Sequence, residues 1–536
     1  MKRKICLINP PTSLQGYGLF FPMALLTLAG VLKAEGIPVH LVDFDMELSR
    51  DREKNNWESF CEYFLERLDQ TGCDLFGISS ICANYPLAVL MIREIKKRRP
   101  GARIILGGPQ PSAVPEESLA QFPWLQGVVI VIGEGERTLV DLLKSDWTQN
   151  SLRQIPGIAF LGSNGIPVKT AHRPLIDNLD EIPFPDFSLI DLEVYRRESP
   201  FISLVEAGRG CPFTCSFCST ALMWERKFRI KSPGRIYEEM RRLQQDYGIQ
   251  GFSLTHDNFT TSPKYLKEFC EYFSRENKEG LRWTISARSD TLSPDKTKAL
   301  HEAGCNGIYM GVDTGSARMQ EVIKKHLDLE KFKERLCEAV ALGISTTVSF
   351  VVGYPGETIE DLDETVRLGL RAKLLGASEV QFHRLAPLYG TDIYRETKGL
   401  LVYEPRAKSD QSRQPMEGDP ELEGLIASHP EIFCSYYTIP TPVGYLNAAA
   451  IATVYCELVN KMAPVLQKVF VSTGWSPVEL FFRWMQWREE FHPQRVIEEK
   501  FIFETFSDFM RTALWRHRKP KASSSAVRRP LVFLGP

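Results

Sequence analysis

Apolar residues fall along this chain in two strand-and-helix rhythms separated by a break. Over residues 1–150, short runs rich in valine and isoleucine at 4–9, 39–43, 74–79, 103–106 and 128–132 alternate with stretches whose apolar positions recur at helical spacing. Five such units predict a doubly wound α/β domain, a parallel sheet flanked by helices, with its ligand edge at the carboxyl ends of the strands. Residues 158–161 and 166–169 flank Gly162-Ser163-Asn164-Gly165, a hairpin signal. Pro174, Pro183 and Pro185 then space a connector, so 151–200 reads as hairpin and linker. A second alternation follows, with six strands predicted at 202–206, 251–255, 282–287, 307–312, 346–352 and 379–383 and helices including 235–247, 264–277 and 358–375. Six parallel units over 201–403 predict a partial (β/α)6, TIM-like barrel, open on one side, whose site lies where the strands end.

After residue 403 the alternation stops. Residues 404–430 are polar and carry Pro405, Pro415, Pro420 and Pro430, which predicts a linker or covering loop. Residues 431–515 are aromatic-rich at helical spacing, so 404–515 reads as a mainly helical C-terminal domain. Its aromatic stripe is assigned to core, with capping of the barrel mouth as the alternative. Residues 516–536, with Lys519, Lys521, Arg528 and Arg529, read as a disordered basic tail.

A chain of 536 residues exceeds one compact core and is expected to divide into two to four domains. The net charge of -2 gives no bulk attraction to nucleic acid or to a membrane surface. No run of eighteen uncharged apolar residues occurs, and the apolar run after the basic first residues is too short for a signal peptide. The expectation is a cytoplasmic protein without a membrane span. Twelve cysteines without a pairing pattern read as reduced thiols, and nine of them, Cys82 among these, as core residues.

The other three change the picture. Gly208-Arg209-Gly210-Cys211-Pro212-Phe213-Thr214-Cys215-Ser216-Phe217-Cys218 follows the first strand of the second alternation and can turn three thiolates toward one point. A structural zinc site would want a fourth thiolate or imidazole, and the next thirty residues supply none. Inert thiols would not need the flanking glycines. An iron-sulfur cluster bound through three cysteines, with one iron left open, is the reading favoured over both.

The stretch resembles the CxxxCxxC signature of radical S-adenosylmethionine (SAM) enzymes, with Phe217 as the aromatic residue before the last cysteine. That resemblance implies a [4Fe-4S] cluster on Cys211, Cys215 and Cys218. It also implies SAM bound to the open iron and cleaved reductively to a 5′-deoxyadenosyl radical. Strand ends at His256-Asp257-Asn258, Arg288-Ser289-Asp290, Asp313-Thr314-Gly315 and Gly353-Tyr354-Pro355-Gly356-Glu357 are then candidate SAM positions. Phe217, Asp257, Arg288 and Asp313 are the assigned contacts, since a carboxylate suits the ammonium of methionine and an arginine its carboxylate. His256 and His383 are weighed as groups facing substrate.

The N-terminal order of Asn9-Pro10-Pro11, Leu106-Gly107-Gly108-Pro109 and Ile132-Gly133-Glu134-Gly135-Glu136 is similar to the cobalamin-binding domain that precedes many radical SAM domains. It implies cobalamin contacts at Thr12, Ser79, Gly107, Gly108, Gly133 and Glu134. The Asp-x-His-x-x-Gly motif is absent and His40 is the one histidine before residue 172, so no histidine is expected on cobalt. Together the resemblances imply a cobalamin-dependent radical SAM enzyme methylating an unactivated carbon of a small molecule or peptide, fed by a reductant such as flavodoxin or ferredoxin. In that scheme one SAM methylates the cobalt and another furnishes the radical. A non-methylating oxidation, cyclisation or rearrangement is the enzymatic alternative, and a non-catalytic iron-sulfur and cobalamin module the alternative from another class. A methylthiolating enzyme is disfavoured, because Cys6, Cys61, Cys73 and Cys82 form no second triad.

Overall fold

The computed structural model describes residues 4–12, 21–50, 56–198, 204–405, 409, 412, 416, 418–492 and 499–517. Most of the basic tail expected at 516–536, and residues 202–203 of the first barrel strand, lie outside the described residues.

The N-terminal sheet has seven strands, β1 (Ile5–Asn9), β2 (Val39–Asp43), β3 (Leu75–Ser79), β4 (Arg103–Gly107), β5 (Val128–Val131), β6 (Ile158–Leu161) and β7 (Pro167–Lys169), in the order β2-β1-β3-β4-β5-β6-β7. The first five are parallel. Their near-continuous apolar runs follow from burial on both faces. Phe44, Phe60 and Phe64 pack against one face, and Leu25, Leu32, Leu139 and Leu142 against the other. The hairpin β6–β7 adds antiparallel to β5 and widens this sheet. All four residues of β6 are buried, so an isolated hairpin in a linker would have left an apolar strand without cover.

The second sheet is built from β8 (Leu204–Glu206), then, after a two-stranded antiparallel ribbon of β9 (Gly208–Arg209) and β10 (Arg229–Ile230), from β11 (Gly251–Thr255), β12 (Arg282–Ala287), β13 (Cys305–Asp313), β14 (Ser345–Val352) and β15 (Glu379–Arg384). Its order is β15-β14-β13-β12-β11-β8, all parallel, which is the expected partial barrel. Along β12 the period is two: Trp283, Ile285 and Ala287 are buried in the core shared with the helices, while Arg282, Thr284 and Ser286 take the more open face. Three of the intervening helices start alike. Ser232, Ser262 and Ser293 each accept a hydrogen bond from the backbone N–H three residues on, with proline at the first helical position.

The C-terminal region divides its contacts between the two sheets. Met416, Leu422, Ile426, Phe433 and Tyr436 join the core beneath the N-terminal sheet. There Tyr436 Oη donates to the Ala83 carbonyl at 2.6 Å and Gln110 Nε2 to the Ile432 carbonyl at 2.7 Å. The helices Tyr445–Thr473, Pro477–Phe491 and Glu499–His517 pack instead on the barrel core, with Phe481, Trp484 and Phe506 buried. The first of them covers the open edge of the barrel. Asn460 accepts from the Val380 N–H at 2.9 Å and donates to its carbonyl at 2.6 Å, so an amide side chain pairs with edge strand β15. By length and composition this helix alone among the described residues could cross a membrane, and half of its apolar window is buried inside the protein. Glu457 and Lys461 interrupt its apolar run, so it holds no eighteen uncharged apolar residues in succession.

Candidate active site

The cysteine loop leaves the ribbon β9–β10 through two glycines fixed by close backbone approach. A Cβ on Gly208 would run into the Arg229 carbonyl, and one on Gly210, at φ +91°, into the Lys227 carbonyl. Asp257, just past β11, braces both ends of the loop. Its Oδ2 accepts from the Gly210 N–H at 2.6 Å and its Oδ1 from Thr220 Oγ1 at 3.3 Å. Cys218 Sγ stands 3.1 Å from the same Thr220 hydroxyl. The loop's middle is tied by Ser216, whose N–H donates to the Ile323 carbonyl at 2.9 Å and whose carbonyl accepts from the Ile393 N–H at 3.1 Å.

Charged groups from the next strands gather beside Cys215. Arg288, after β12, donates to Asp290 through Nε and Nη2 at 3.0 and 2.7 Å and to the Lys325 carbonyl at 2.8 Å. Its Nη1 stands 3.7 Å from Cys215 Sγ, and its guanidinium lies 3.9 Å over the Phe213 ring. Asp313 ends β13 at φ +66°, beside a register shift, and forms a buried ion pair with Lys325. Burial raises the Cys215 thiol, while Lys325 and Arg288 draw it down; burial pushes Cys211 up to about 11. Phe217 meets Tyr354 edge-on, with ring centroids 5.7 Å apart. His256 is committed elsewhere: Nδ1 accepts from the Asn258 N–H at 2.9 Å, Nε2 faces the Arg229 carbonyl at 3.3 Å, and burial lowers its pKa to about 4.

The ends of both sheets border one chamber of about 750 Å³. Thr12, Pro109 and Gln110 face it from the N-terminal side, Cys218 and Leu222 from the cysteine loop and its following helix, and Tyr309, Asp313 and His383 from the barrel. A second cavity of about 350 Å³ enters the N-terminal sheet, bordered by Ser79, Gly107, Gly108, Gly133 and Glu134, with Pro109 and Met223 common to both spaces. At Gly108, φ +106°, a Cβ would run into the Ser80 carbonyl. Two residues with expected cobalamin roles are already engaged. The Thr12 N–H and hydroxyl both donate to Asp45 Oδ1 at 2.7 Å. Glu134 Oε1 accepts from Arg209 Nη1 at 2.7 Å and Arg229 Nη1 at 2.8 Å, and its Oε2 accepts from the Ile176 N–H at 2.6 Å.

These residues fit the cofactors that the sequence implies. Three thiols on one loop, next to two cations, suit a cluster held through three corners. Among the described residues no group of three or more His, Cys, Asp or Glu side chains, the three cysteines of the loop included, is drawn together as a metal-ion site. Among the described residues Ser216 Oγ on the loop and Asn258 Nδ2 beyond β11 are buried without a hydrogen-bond partner, which leaves them able to pair with a polar ligand. A glycine-floored slot that shares Pro109 and Met223 with a larger chamber suits one face of a broad planar macrocycle, which is the shape of cobalamin. Sequence reasoning missed Lys325, for which there was no local signal, and Arg209, whose flanking glycines pointed only to a tight turn.

Residues 205–369 match the model of the radical SAM superfamily, and residues 15–143 that of the B12 binding domain. An uncharacterized methyltransferase of Pyrococcus horikoshii is 30% identical over 321 residues, 60% of this chain and 68% of the relative. An anaerobic magnesium-protoporphyrin IX monomethyl ester cyclase of Cereibacter sphaeroides is 31% identical over 315 residues, 57% of this chain and 51% of the relative. The chain thus spans from half to two thirds of these relatives. The radical SAM methyltransferase TsrM from Kitasatospora setae, solved with cobalamin and a [4Fe-4S] cluster, has the same fold, with a TM-score of 0.63 at 20% identity over 86% of this chain and 90% of that one. Two domain types, one shared chamber and three cysteines at a strand end define a cofactor-dependent radical enzyme. The chain belongs to the cobalamin-binding radical SAM enzymes.

Proposed function

We propose that this protein methylates an unactivated carbon of a biosynthetic intermediate. The observation that carries the reading is that the two strand-end edges border one 750 Å³ chamber, so a radical source on one wall and a methyl donor on the other can reach the same carbon. When bound, the [4Fe-4S] cluster and SAM supply a 5′-deoxyadenosyl radical that removes hydrogen, and cobalamin supplies the methyl group. Cys211, Cys215 and Cys218 would hold the cluster. Arg288 and Asp313, both buried beside the loop, would orient the methionine end of SAM, and Phe217 would pack against it. Ser79, Gly107, Gly108 and Gly133 would form the floor for cobalamin. Tyr309 and His383, on the barrel side of the chamber, are the residues proposed to meet substrate. A low-potential reductant such as flavodoxin or ferredoxin, and a cytoplasmic setting, complete the proposal.

The cyclase relative supports a second reading, in which the same cofactors drive a non-methylating oxidation or cyclisation. Anaerobic incubation of the reconstituted protein with SAM, cobalamin and a strong reductant tests the first. The expected outcome is 5′-deoxyadenosine together with S-adenosylhomocysteine and a methylated cobalamin spectrum. Formation of 5′-deoxyadenosine with bound cobalamin that never becomes methylated favours the second reading. Failure to retain cobalamin at all rules out both.

A further inference from the structure

We infer that a knot of five charged side chains, four of them buried, sets the separation between the cysteine loop and the cobalamin-facing edge, with Arg209 as its positioning residue. The inference rests on the reading above, in which both edges serve one reaction.

Arg209 lies on β9, two residues before Cys211. Its guanidinium reaches across to the N-terminal domain, with Nη1 donating to Glu134 Oε1 at 2.7 Å and Nη2 to Glu136 Oε1 at 2.6 Å. Its Nε and Nη2 also donate to Glu206, at the end of β8, at 2.8 and 3.0 Å. Arg229, opposite Arg209 in the ribbon, adds a bond from Nη1 to Glu134 Oε1 at 2.8 Å and one to the Ile176 carbonyl at 2.6 Å. The side chains of Arg209, Arg229, Glu134 and Glu136 are all less than a tenth exposed. Trp224, on the helix after the cysteine loop, lies 5.6 Å from both guanidinium carbons.

Position follows from dryness. An exposed ion pair can slide or exchange for water, but a planar fork gripping carboxylates in a buried site loses its compensation on a small displacement. Arg229 sharpens this: its Nε and Nη2 are buried without a hydrogen-bond partner among the described residues, so Nη1 alone carries its hydrogen bonds, to Glu134 and the Ile176 carbonyl. On one side the knot continues directly into Cys211. On the other it is the Gly133-Glu134-Gly135-Glu136 loop, which borders the 350 Å³ cavity. A shift of either edge must therefore strain the other.

The test is the distance between the two cofactors in the loaded protein, read by dipolar EPR between the reduced cluster and Co(II) cobalamin. The wild type is expected to give one narrow distribution. Arg209→Lys, which keeps the charge and loses the fork, and Glu134→Gln are each expected to broaden it and shift it outward, with iron and cobalamin per chain unchanged. An unaltered distribution in both variants overturns the inference. For variants that do not load, hydrogen exchange on the cofactor-free full chain decides. Glu136→Gln, which removes the charge from a single contact of the knot, should raise exchange at residues 133–136 and 208–211 together, and a rise on one side only, or on neither, overturns it. Wild-type protein that binds no cobalamin sinks the functional reading instead, and the exchange measurement still tests the knot as a clamp between the domains.

Discussion

Residues that follow β1, β3 and β4 border the same chamber as residues at the ends of β13, β14 and β15, yet the two edges are built differently. On the N-terminal edge the adjoining 350 Å³ cavity is shaped by missing side chains, Gly107, Gly108 and Gly133, while polar residues nearby make structural contacts: Thr12 with Asp45, Glu134 with two arginines. On the barrel edge charged side chains crowd the cysteines, with Arg288, Lys325 and Asp313 packed at the loop. The contrast matches the two cofactors. A large, rigid macrocycle is held by shape and backbone, whereas a small zwitterion at a cluster needs placed charges.

Substitutions can break that contrast from either side. Cys215→Ala should have the largest effect, abolishing reconstituted cluster absorbance and all 5′-deoxyadenosine formation while cobalamin is still retained, because the cobalamin wall is built elsewhere. Gly108→Ala should do the reverse. Its side chain would enter the Ser80 carbonyl at a left-handed φ, costing about 1–3 kcal/mol and reducing cobalamin retained after gel filtration, with iron content unchanged. Gly101→Ala, where nothing stands within 4 Å, is the matched control. Asp257→Ala strips the Gly210 N–H and the Thr220 hydroxyl of their acceptor, at about 1–3 kcal/mol. Lower cluster content with SAM affinity unchanged per cluster is expected of a brace; weaker SAM binding at full cluster content would instead support Asp257 as a SAM contact.

A pH-dependent effect on stability alone concerns Glu357, beyond β14, which burial pushes up to about 8 from an ordinary 4.5. Through that window the folded chain keeps a proton that the unfolded chain releases, so this group's contribution is complete below 4.5 and is lost as pH rises toward 8. The slope it can impose is at most about 1.4 kcal/mol per pH unit. Urea unfolding across the window should show stability falling with pH, and Glu357→Gln should flatten the fall. An equal slope in both proteins would mean that Glu357 is ionised in the fold.

Much of this arrangement was legible in residue order. The parallel strands show as apolar runs because both faces are covered, and the barrel helices show their starts in repeated Ser-Pro caps. The C-terminal region was harder to read. Leu422, Phe433 and Tyr436 have the same apolar character as Phe481 and Trp484, and nothing local says that the first group packs on one sheet and the second on the other. Glu134 shows the same limit of local reading. Its motif marks a strand end facing a ligand edge, but the carboxylate is taken by arginines 75 and 95 residues away in sequence.

By itself the sequence determined the two sheets, the order of their strands along the chain, and the loop that brings three thiols to a strand end. Those are local matters of periodicity, turn chemistry and spacing. The tertiary structure decided what no short stretch encodes: that both strand-end edges open on one chamber, that Lys325 joins Asp313 beside Cys215, and that Arg209 ties the cysteine loop to the opposite domain. Such pairings depend on side chains remote in the chain being desolvated at one point, and burial of that kind exists only once the chain has folded.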